Sequence, residues 1–288
     1  MPAAEVDVGV ELVRGLLADQ RPDLSDLTVA PLGSGWDNFS FRLGDEHVVR
    51  FPRRSLASSL VENEARWLPM LAPTLPLPVP APLFLGEPGR GYPWRWVISP
   101  WIPGEPVGER EPLDPVVAAE GLAAFLAALH QPAPPSAPRN QFRGIPLRDR
   151  DPTTRQRIRA LESQLDATAL LEIWDESLEM PGHSGPPRWL HGDLHPLNLL
   201  AENGRLTGVI DFGDITSGDP ATDLAVAWML FARPNRESFR ALYRDEDDDL
   251  WLRARGWAVS LATSYLAHSA DNAAMGAVGR LTIDRVLG

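Results

Sequence analysis

Two histidines, an aspartate and an asparagine lie within one short segment, WLHGDLHPLNLL, at residues 189–200. Imidazole nitrogens and carboxylate oxygens can bind a transition metal, whereas carboxylate and amide oxygens can bind Mg²⁺ or accept a proton. The segment therefore allows two kinds of chemistry: a metal centre held by the protein, or a loop that catalyses group transfer.

A metal centre would use His191, Asp193 and His195, which alternate along the chain and would share one face of a strand. Gly192 weakens a strand and Pro196 cannot donate to a strand ladder, so a loop is the favoured structure. The sequence identifies no residues that would orient three such ligands. A transition-metal site is therefore the less favoured hypothesis.

A nucleophilic serine is another candidate, in the segment GHSGP at residues 182–186. The segment resembles the Gly-x-Ser-x-Gly turn of hydrolases, but Pro186 occupies the position of the last glycine. It also lies in a region rich in proline and glycine rather than between a strand and a helix. The pattern therefore argues against hydrolysis at this serine.

Phosphoryl transfer explains the first segment together with IDFG at residues 210–213. The spacing of His191, Asp193 and Asn198 is that of the protein-kinase catalytic loop, with Gly192 in place of an arginine. Asp193 can accept the proton of an acceptor hydroxyl, while Asn198 and Asp211 offer oxygens to Mg²⁺ on a nucleoside triphosphate. The two motifs, in this order and joined by an Asn-Gly hairpin signal, predict a phosphotransferase.

The elements that must position these residues fall into two parts. The first third of the chain is mainly strand, and the segment PWIPGEP ends it, so we place a boundary at residues 100–104. Strands are predicted near 27–30, 39–43, 47–51, 83–85 and 94–99, with helices over 5–18 and 55–71. Helices are predicted over 115–130, 153–179, 221–231, 235–243, 248–269 and 272–287, with small strands near 190, 199–200 and 206–210.

A phosphotransferase of this kind needs groups in the first part that hold nucleotide phosphates. Gly33, Ser34 and Gly35 lie between two predicted strands, where glycines let main-chain N–H groups approach phosphate. Arg50 occupies the third strand, where kinases have lysine, and all 27 basic residues of this chain are arginine. Arginine binds phosphate with two nitrogens at once. Glu64 on the following helix is its favoured partner, with Glu62, on another side of that helix, as the alternative.

The segments HGDLHPLN, GVIDFGD and GDPATDLAVAW, and less specifically GSGWDN and VVRFP, resemble the aminoglycoside phosphotransferase family, relatives of choline kinase and protein kinases. The resemblance covers essentially the whole chain. It implies an α+β, bilobal protein-kinase-like fold with a nucleotide-binding lobe over 1–99, a hinge over 100–104 and a catalytic and substrate-binding lobe over 105–288. It also implies transfer of the γ-phosphoryl group of ATP, with GTP as an alternative, in the presence of Mg²⁺.

The resemblance assigns roles to individual residues of the second part. Asp193 matches the catalytic base, and Asn198 and Asp211 match the Mg²⁺ ligands. Asp223 matches an aspartate that braces the catalytic loop from the start of a helix. Few residues separate Asp211 from that helix, so a long activation segment, and with it a protein substrate, is not expected.

The resemblance also places the adenine-binding hinge in the segment 99–104. The carbonyl of Pro100 and the N–H of Ile102 would bind the base. Pro100 lacks an N–H but keeps the carbonyl that this role requires.

The acceptor is predicted to be a small molecule with a hydroxyl group, most simply an aminoglycoside or related antibiotic. Asp214 and Trp251 are candidate contacts, and acids such as RDEDDD at 244–249 would favour a cationic acceptor, although such a run is also typical of a solvated helix start. A macrolide, a nucleoside antibiotic and an amino alcohol or sugar are alternatives. A catalytically silent nucleotide-binding protein is the least favoured alternative, indicated only by Arg50.

Composition excludes several other classes of protein. The chain has no cysteine, so disulfides and thiol catalysis are excluded, and its net charge of −12 argues against a nucleic-acid partner. No apolar run approaches the roughly 20 residues that a membrane span needs, and the first residues do not form a signal peptide. A cytoplasmic protein without a membrane partner is therefore expected.

Overall fold

A computed structural model describes residues 3–108, 113–243 and 247–288. The chain forms two compact units: the first comprises Met1–Pro73 and Pro78–Ile102, the second Thr74–Leu77 and Pro103–Gly288. The first unit is built on a sheet and the second mainly on helices, which confirms the predicted α+β class. The assignment of nucleotide binding to 1–99, of a hinge to 100–104 and of catalysis to 105–288 stays a prediction.

The first unit is an antiparallel sheet with the strand order β1-β2-β3-β5-β4. Its inner face carries large apolar side chains, with the ring of Phe51 stacked on Trp96 at 5.2 Å and edge-on to Tyr92. This face packs against the first helix and forms the core of the unit. The strands are Val29–Ser34 (β1), Asn38–Leu43 (β2), His47–Pro52 (β3), Phe84–Gly86 (β4) and Trp96–Pro100 (β5).

Two helices complete the first unit, α1 over Val10–Gln20 and α2 over Ser55–Leu71. Helix α2 has the predicted bounds. Helix α1 begins later than predicted because Glu5 is bound elsewhere: its N–H donates to the carbonyl of Arg53, and its carboxylate accepts from the N–H of Ser55. Glu5 is thereby attached to the start of α2 instead of forming part of a helical turn.

The second unit is organised around α9, which packs against α4, α5, α6 and α10, while α3 packs against α8. Its short strands form two small antiparallel groups, β6-β8-β9 and β10-β7. The helices are Pro115–Leu129 (α3), Asp151–Ala160 (α4), Ala167–Glu179 (α5), Ala221–Leu224 (α6), Val226–Leu230 (α7), Arg233–Tyr243 (α8), Asp248–His268 (α9) and Ala273–Leu287 (α10). The strands are Glu105–Pro106 (β6), Arg188–Leu190 (β7), Leu199–Glu202 (β8), Arg205–Val209 (β9) and Thr216–Gly218 (β10).

Two predicted helices of the second unit are each divided in the structure. The helix predicted over 153–179 is α4 and α5, because Asp166 accepts a hydrogen bond from the N–H of Ala169 and starts a new helix there. The helix predicted over 221–231 is α6 and α7. Across the three described ranges, the helices are too short or too polar to cross a membrane.

Candidate active site

A hairpin places Asn198 and Asp211 next to each other in the second unit. Strands β8 and β9 turn at Asn203 and Gly204, whose φ angles of 53° and 76° are those of a two-residue hairpin turn. At the open end of the hairpin, the N–H of Ile210 donates to the carbonyl of Asn198 at 2.9 Å. The hairpin predicted from the Asn-Gly pair is therefore confirmed, and it brings the two motifs together.

Both residues present oxygens that are not used elsewhere in the described chain. The amide nitrogen of Asn198 donates to the carbonyl of Asp193 at 2.9 Å, which leaves its side-chain oxygen without a described hydrogen bond. Asp211 is exposed, forms no ion pair with a described residue and has a left-handed backbone, with φ 63° and ψ 65°. A non-glycine residue in this region costs about 1–2 kcal/mol, so the conformation must be imposed by its surroundings.

These two oxygens fit a Mg²⁺ ion bound mainly by phosphate and water. Mg²⁺ in nucleotide sites takes one or two protein oxygens and fills its other positions from phosphate and solvent. Among the residues that the structure describes, no group of three or more histidines or acids is arranged to hold a metal by itself. The donor set thus suits a nucleotide-bound cation.

Asp193 follows β7 and contacts two basic side chains. One carboxylate oxygen accepts a hydrogen bond from Arg143 Nη2 at 3.0 Å, and the other lies 3.5 Å from His195 Nε2. Burial raises the pKa of Asp193, but the contact with His195 and the charge of Arg143 outweigh burial, so its pKa lies well below the usual range. Asp193 is therefore a carboxylate at neutral pH, with its side chain 27% exposed.

Asp214 lies near Asp193, and its pKa is shifted in the opposite direction, upwards. Burial, with repulsion by Asp193 and Asp211, raises the pKa of its carboxyl to about 6 against the opposing charge of Arg143. The side chain of Asn140 donates a hydrogen bond to it at 2.5 Å. The site thus contains one carboxylate that stays ionised and one that titrates close to neutral pH.

His191 joins the catalytic loop to the hairpin. It is fully buried, its Nε2 donates to the carbonyl of Ile210 at 2.9 Å, and its Nδ1 accepts from the N–H of Asp193 at 3.2 Å. Each ring nitrogen has one partner, an arrangement that requires the neutral imidazole. The ring also packs against Phe212 with 4.5 Å between centroids.

Asp223 braces the same loop from the other side, as the resemblance implies. Its buried carboxylate accepts from the N–H of His191 at 2.7 Å and from the N–H of Gly192 at 2.9 Å. His130 Nε2 lies 3.2 Å from one of its oxygens. The loop that carries Asp193 is therefore held by one carboxylate at two consecutive main-chain nitrogens.

Gly192 explains why the usual arginine is absent from this loop. Its φ is +87°, and a Cβ atom at this position would lie 2.2 Å from the carbonyl oxygen of Asp214. The loop can approach Asp214 this closely only with glycine at this position.

The loop that contributes Arg143 and Asn140 was missed from the sequence. Hydrogen bonds from its main-chain N–H groups to threonine side chains attach it to the catalytic region. The N–H of Asn140 donates to Thr216 Oγ1 at 2.9 Å, and the N–H of Gly144 donates to Thr222 Oγ1 at 3.1 Å. The segment follows a proline-rich stretch and has no motif. Its only sequence signal is an arginine and an asparagine in an irregular region.

His195 and Tyr265 were also not assigned a role from the sequence. Their rings meet edge-on with 5.8 Å between centroids, and the Tyr265 hydroxyl is buried without a hydrogen-bond partner among the described residues. Tyr265 belongs to α9, far along the chain from the catalytic loop, so no local pattern connects the two.

The phosphate-binding candidates Gly33, Ser34 and Gly35 lie in the first unit, at the turn between β1 and β2. Gly33 has a φ of +133°, a conformation that favours glycine. Arg53 Nη1 donates to the carbonyl of Gly35 at 2.7 Å, which fixes the turn to the end of β3. Their role in binding phosphate stays a prediction.

Arg50 and Glu64 form a buried ion pair between β3 and α2 of the first unit. Pro100 is the last residue of β5, and the following N–H, of Trp101, donates to the carbonyl of Glu46 at 2.7 Å. Because the C=O and N–H of one trans peptide point in opposite directions, the Pro100 carbonyl is directed away from β3, and Ile102 follows beyond the end of the strand. The roles of these four residues towards a nucleotide also stay predictions.

Trp251 does not have the role predicted for it. Its ring is 4% exposed and packs among Trp228, Phe239 and Tyr243 in the helical core, so no open face remains for an acceptor. Residues 244–246 of the acidic run lie outside the described residues. Of the two predicted acceptor contacts, only Asp214 is near Asp193.

A loop with Asp193 beside a hairpin with Asn198 and Asp211, in a chain with a sheet-based first unit and a helical second unit, defines a kinase-like phosphotransferase. The chain matches the model of the APH phosphotransferase enzyme family over residues 28–257. It belongs to this family and is a small-molecule kinase.

The chain is also similar to individual proteins and solved structures. The uncharacterized protein YcbJ of Bacillus subtilis (strain 168) is 26% identical over 235 residues, which span 76% of this chain and 74% of that protein. The GDP and kanamycin complex of APH(2")-IIia has a TM-score of 0.69 at 23% identity and covers 95% of this chain and 97% of its own. The macrolide 2'-phosphotransferase MphH of Brachybacterium faecium has a TM-score of 0.64 at 23% identity, with 95% and 98% covered. These structures share the kinase-like fold with this chain.

Replacing Gly192 by alanine should displace the catalytic loop. We expect Gly192→Ala to lower the free energy of unfolding by about 2–4 kcal/mol, because the strained φ is combined with a contact of 2.2 Å to a main-chain oxygen. Urea unfolding measures the loss. Gly108→Ala is the matched control, since Gly108 has a φ of +94° and a Cβ atom there would have no described atom within 4 Å. Equal losses in the two variants would contradict the role of the close approach.

Asp214 should make stability depend on pH. Because its folded-state pKa of about 6 exceeds the ordinary value of 3.8, the folded protein binds more protons than the unfolded chain between these values. Its contribution to stability therefore falls as pH rises from about 4 to 6. We expect Asp214→Asn to gain stability relative to wild type over this range, on the order of 1–3 kcal/mol at pH 7. A stability difference that is the same at pH 4 and pH 7 would refute this assignment.

Proposed function

We propose that the protein transfers the γ-phosphoryl group of a purine nucleoside triphosphate, ATP with GTP as the alternative, to a hydroxyl group of a small molecule. The observation that carries the proposal is the contact geometry of Asp193, Asn198 and Asp211. One loop and one hairpin place an ionised carboxylate beside two free side-chain oxygens. Family membership gives the class of reaction, and the arrangement of these residues supports a site in the second unit.

Asp193 would orient the acceptor hydroxyl and take its proton. Phosphoryl transfer proceeds through a loose transition state, so the position of the base matters more than its strength. The low pKa of Asp193 suits this role, because the carboxylate is available throughout the neutral range. Arg143 and His195 would fix the direction of its two oxygens.

Asn198 and Asp211 would hold Mg²⁺ on the triphosphate. When bound, the ion neutralises charge on the transferred group. The hydrogen bond from the Asn198 amide nitrogen to the carbonyl of Asp193 sets the amide plane, so that its oxygen is left for the ion. The left-handed backbone of Asp211 holds the second carboxylate next to the hairpin end.

The nucleotide would be held by groups of the first unit. Arg50, buried and paired with Glu64, would contact its phosphates, and the turn at residues 33–35 would cover them with main-chain N–H groups. The carbonyl of Pro100 and the N–H of Ile102 would bind the purine. The GDP present in one structural relative supports a purine nucleotide.

The acceptor would be a hydroxylated small molecule, and the relatives support polyhydroxylated antibiotics. One structural relative is a complex with kanamycin, and another is a macrolide phosphotransferase. The structure favours a cationic acceptor less than the sequence does, because Trp251 is buried and Asp214 accepts a hydrogen bond from Asn140. An aminoglycoside acceptor therefore rests on the family resemblance.

Removing the carboxylate of Asp193 should abolish transfer and spare nucleotide binding. We expect Asp193→Asn to lower kcat about 10²–10⁴-fold, the range for loss of a positioned general base. The assay follows ADP formation with a panel of aminoglycosides, macrolides, nucleoside antibiotics and amino alcohols. Asp149→Asn, at an exposed position of the same unit, is the control. Unchanged turnover in Asp193→Asn would exclude the mechanism.

Replacing Asp211 should weaken the use of Mg²⁺. We expect Asp211→Asn to raise the Mg²⁺ concentration for half-maximal activity about tenfold or more, because one of two protein ligands loses its charge. A Mg²⁺ titration at saturating nucleotide measures the change. Glu202→Gln, an exposed acid on the same hairpin, should behave as wild type. An identical titration curve for Asp211→Asn would show that this residue does not bind the ion.

A further inference from the structure

Three arginines of the second unit, Arg143, Arg150 and Arg157, lie close enough to repel one another, and Arg143 also contacts Asp193. Arg143 lies on the loop that contacts Asp193, Arg150 ends the short helical turn Leu147–Arg150, and Arg157 lies in α4, which follows at once. Arg150 is only 9% exposed, and the other two are partly buried. We call these residues the arginine cluster.

The cluster contains more positive charge than its surroundings neutralise. Arg143 is paired with Asp193 at 3.0 Å. Arg150 contacts the face of the Phe142 ring at 5.5 Å, and Arg157 Nη2 contacts His268 Nε2 at 3.4 Å, but neither forms an ion pair with any described residue. Acidic charge therefore acts on one member of the cluster: Asp193 and Asp214 both act on Arg143, whereas Arg150 and Arg157 have no ion-pair partner among the described residues.

Each arginine of the cluster also has an unused nitrogen. Arg143 Nε, Arg150 Nε and Arg157 Nη1 are buried and find no hydrogen-bond acceptor among the described residues. A buried donor without an acceptor costs about 1–3 kcal/mol, and more for a charged group. Arg150 and Arg157 have no ion-pair acid among the described residues, although the chain has 39 acidic residues against 27 arginines.

The three guanidinium groups of the cluster repel one another electrostatically. Burial lowers the pKa of Arg150, and repulsion by Arg143 and Arg157 lowers it further. Burial and Arg143 have the same effect on the pKa of Arg157. Guanidinium groups nevertheless stay charged near neutral pH, so an anion bound among them would relieve the repulsion.

We propose that the arginine cluster binds an anionic group, a carboxylate, sulfate or phosphate, of the molecule whose hydroxyl is phosphorylated. The planar fork of arginine pairs with such groups through two hydrogen bonds. The link between Arg143 and Asp193 brings this anion site next to the base that receives the hydroxyl. The proposal rests on the proposed function and names its substrate class: hydroxylated anions, in contrast to the cationic acceptor expected from sequence.

Tyr265 supplies an uncharged contact for the same ligand. Its hydroxyl is buried and without a described partner, and Asp193, Arg143 and Asp214 all influence its pKa, which burial raises well above its ordinary value. It is therefore a neutral hydroxyl near the base and the cluster, able to donate to an acceptor oxygen.

The first experiment measures anion binding without nucleotide or acceptor. Sodium sulfate is titrated against sodium chloride at constant ionic strength, and the thermal unfolding midpoint gives the affinity. We expect wild type to bind sulfate in preference to chloride, and Arg150→Gln and Arg157→Gln to bind it at least tenfold more weakly. The matched controls are Arg148→Gln and Arg159→Gln, exposed arginines of the same two segments, which should keep the wild-type affinity. Equal sulfate affinity in all five proteins, or no preference over chloride, would overturn the proposal.

A competition arm identifies the source of the anion. If the cluster belongs to the acceptor, Mg²⁺·ADP should leave the affinity for sulfate within about twofold of its value without nucleotide. Displacement of sulfate by Mg²⁺·ADP would assign the cluster to the phosphates of the nucleotide and overturn the proposal.

The second experiment uses turnover. Cationic, neutral and anionic hydroxyl compounds are ranked by kcat/KM, and the best substrate is expected to be anionic. Arg150→Gln should then raise its KM at least tenfold while kcat stays within about threefold. A best substrate that is neutral or cationic would overturn the proposal. If no compound is phosphorylated, the proposed function is in question, while the sulfate titration still decides whether the cluster binds anions.

Stability distinguishes a ligand-binding arginine from a structural one. Without sulfate, Arg150→Gln should unfold at a midpoint no lower than that of wild type, because the substitution removes a buried charge that has no ion-pair partner in the described chain. A midpoint well below that of Arg148→Gln would give Arg150 a structural role and count against the proposal.

Discussion

The carboxylate of Asp223 holds two consecutive main-chain nitrogens, those of His191 and Gly192, inside the second unit. A buried carboxylate with two N–H donors is strongly satisfied, and it leaves the loop little freedom to turn. The position of Asp193, one residue further, follows from this contact. His191 then connects the loop to the carbonyl of Ile210, so the hairpin carrying Asp211 is placed relative to the same brace.

Electrostatics gives the neighbouring carboxylates of this region different states. Asp193 and Asp214 are both partly buried, yet the basic partners of Asp193 lower its pKa, whereas repulsion by Asp193 adds to the effect of burial on Asp214. Ionisation of Asp193 therefore makes ionisation of Asp214 less favourable. The charge is kept on the residue that the proposed reaction requires, next to the free oxygens of Asn198 and Asp211.

Those parts of the site that depend on local sequence could be predicted, and those that depend on tertiary contacts could not. The spacing of Asp193 and Asn198, and the turn at Asn203, are local, because a loop and a hairpin fix them within a few residues. Arg143 and Tyr265 reach Asp193 from separate elements, and no spacing rule connects residues 50 or more positions apart. Trp251 was misassigned for the same reason, since an aromatic residue on a helix packs into a core or faces a ligand according to neighbours that the sequence does not show.

The use of arginine for every basic position has a consequence for the buried sites. A lysine with few partners can lose its proton on burial, because its pKa falls readily. An arginine cannot, so each buried arginine must obtain a counter-charge from the protein or from a ligand. Arg50 obtains one from Glu64 and Arg253 from Asp219, both inside the fold. Arg150 is buried to a similar extent and has no such acid among the described residues, so a bound anion is the counter-charge that we propose for it.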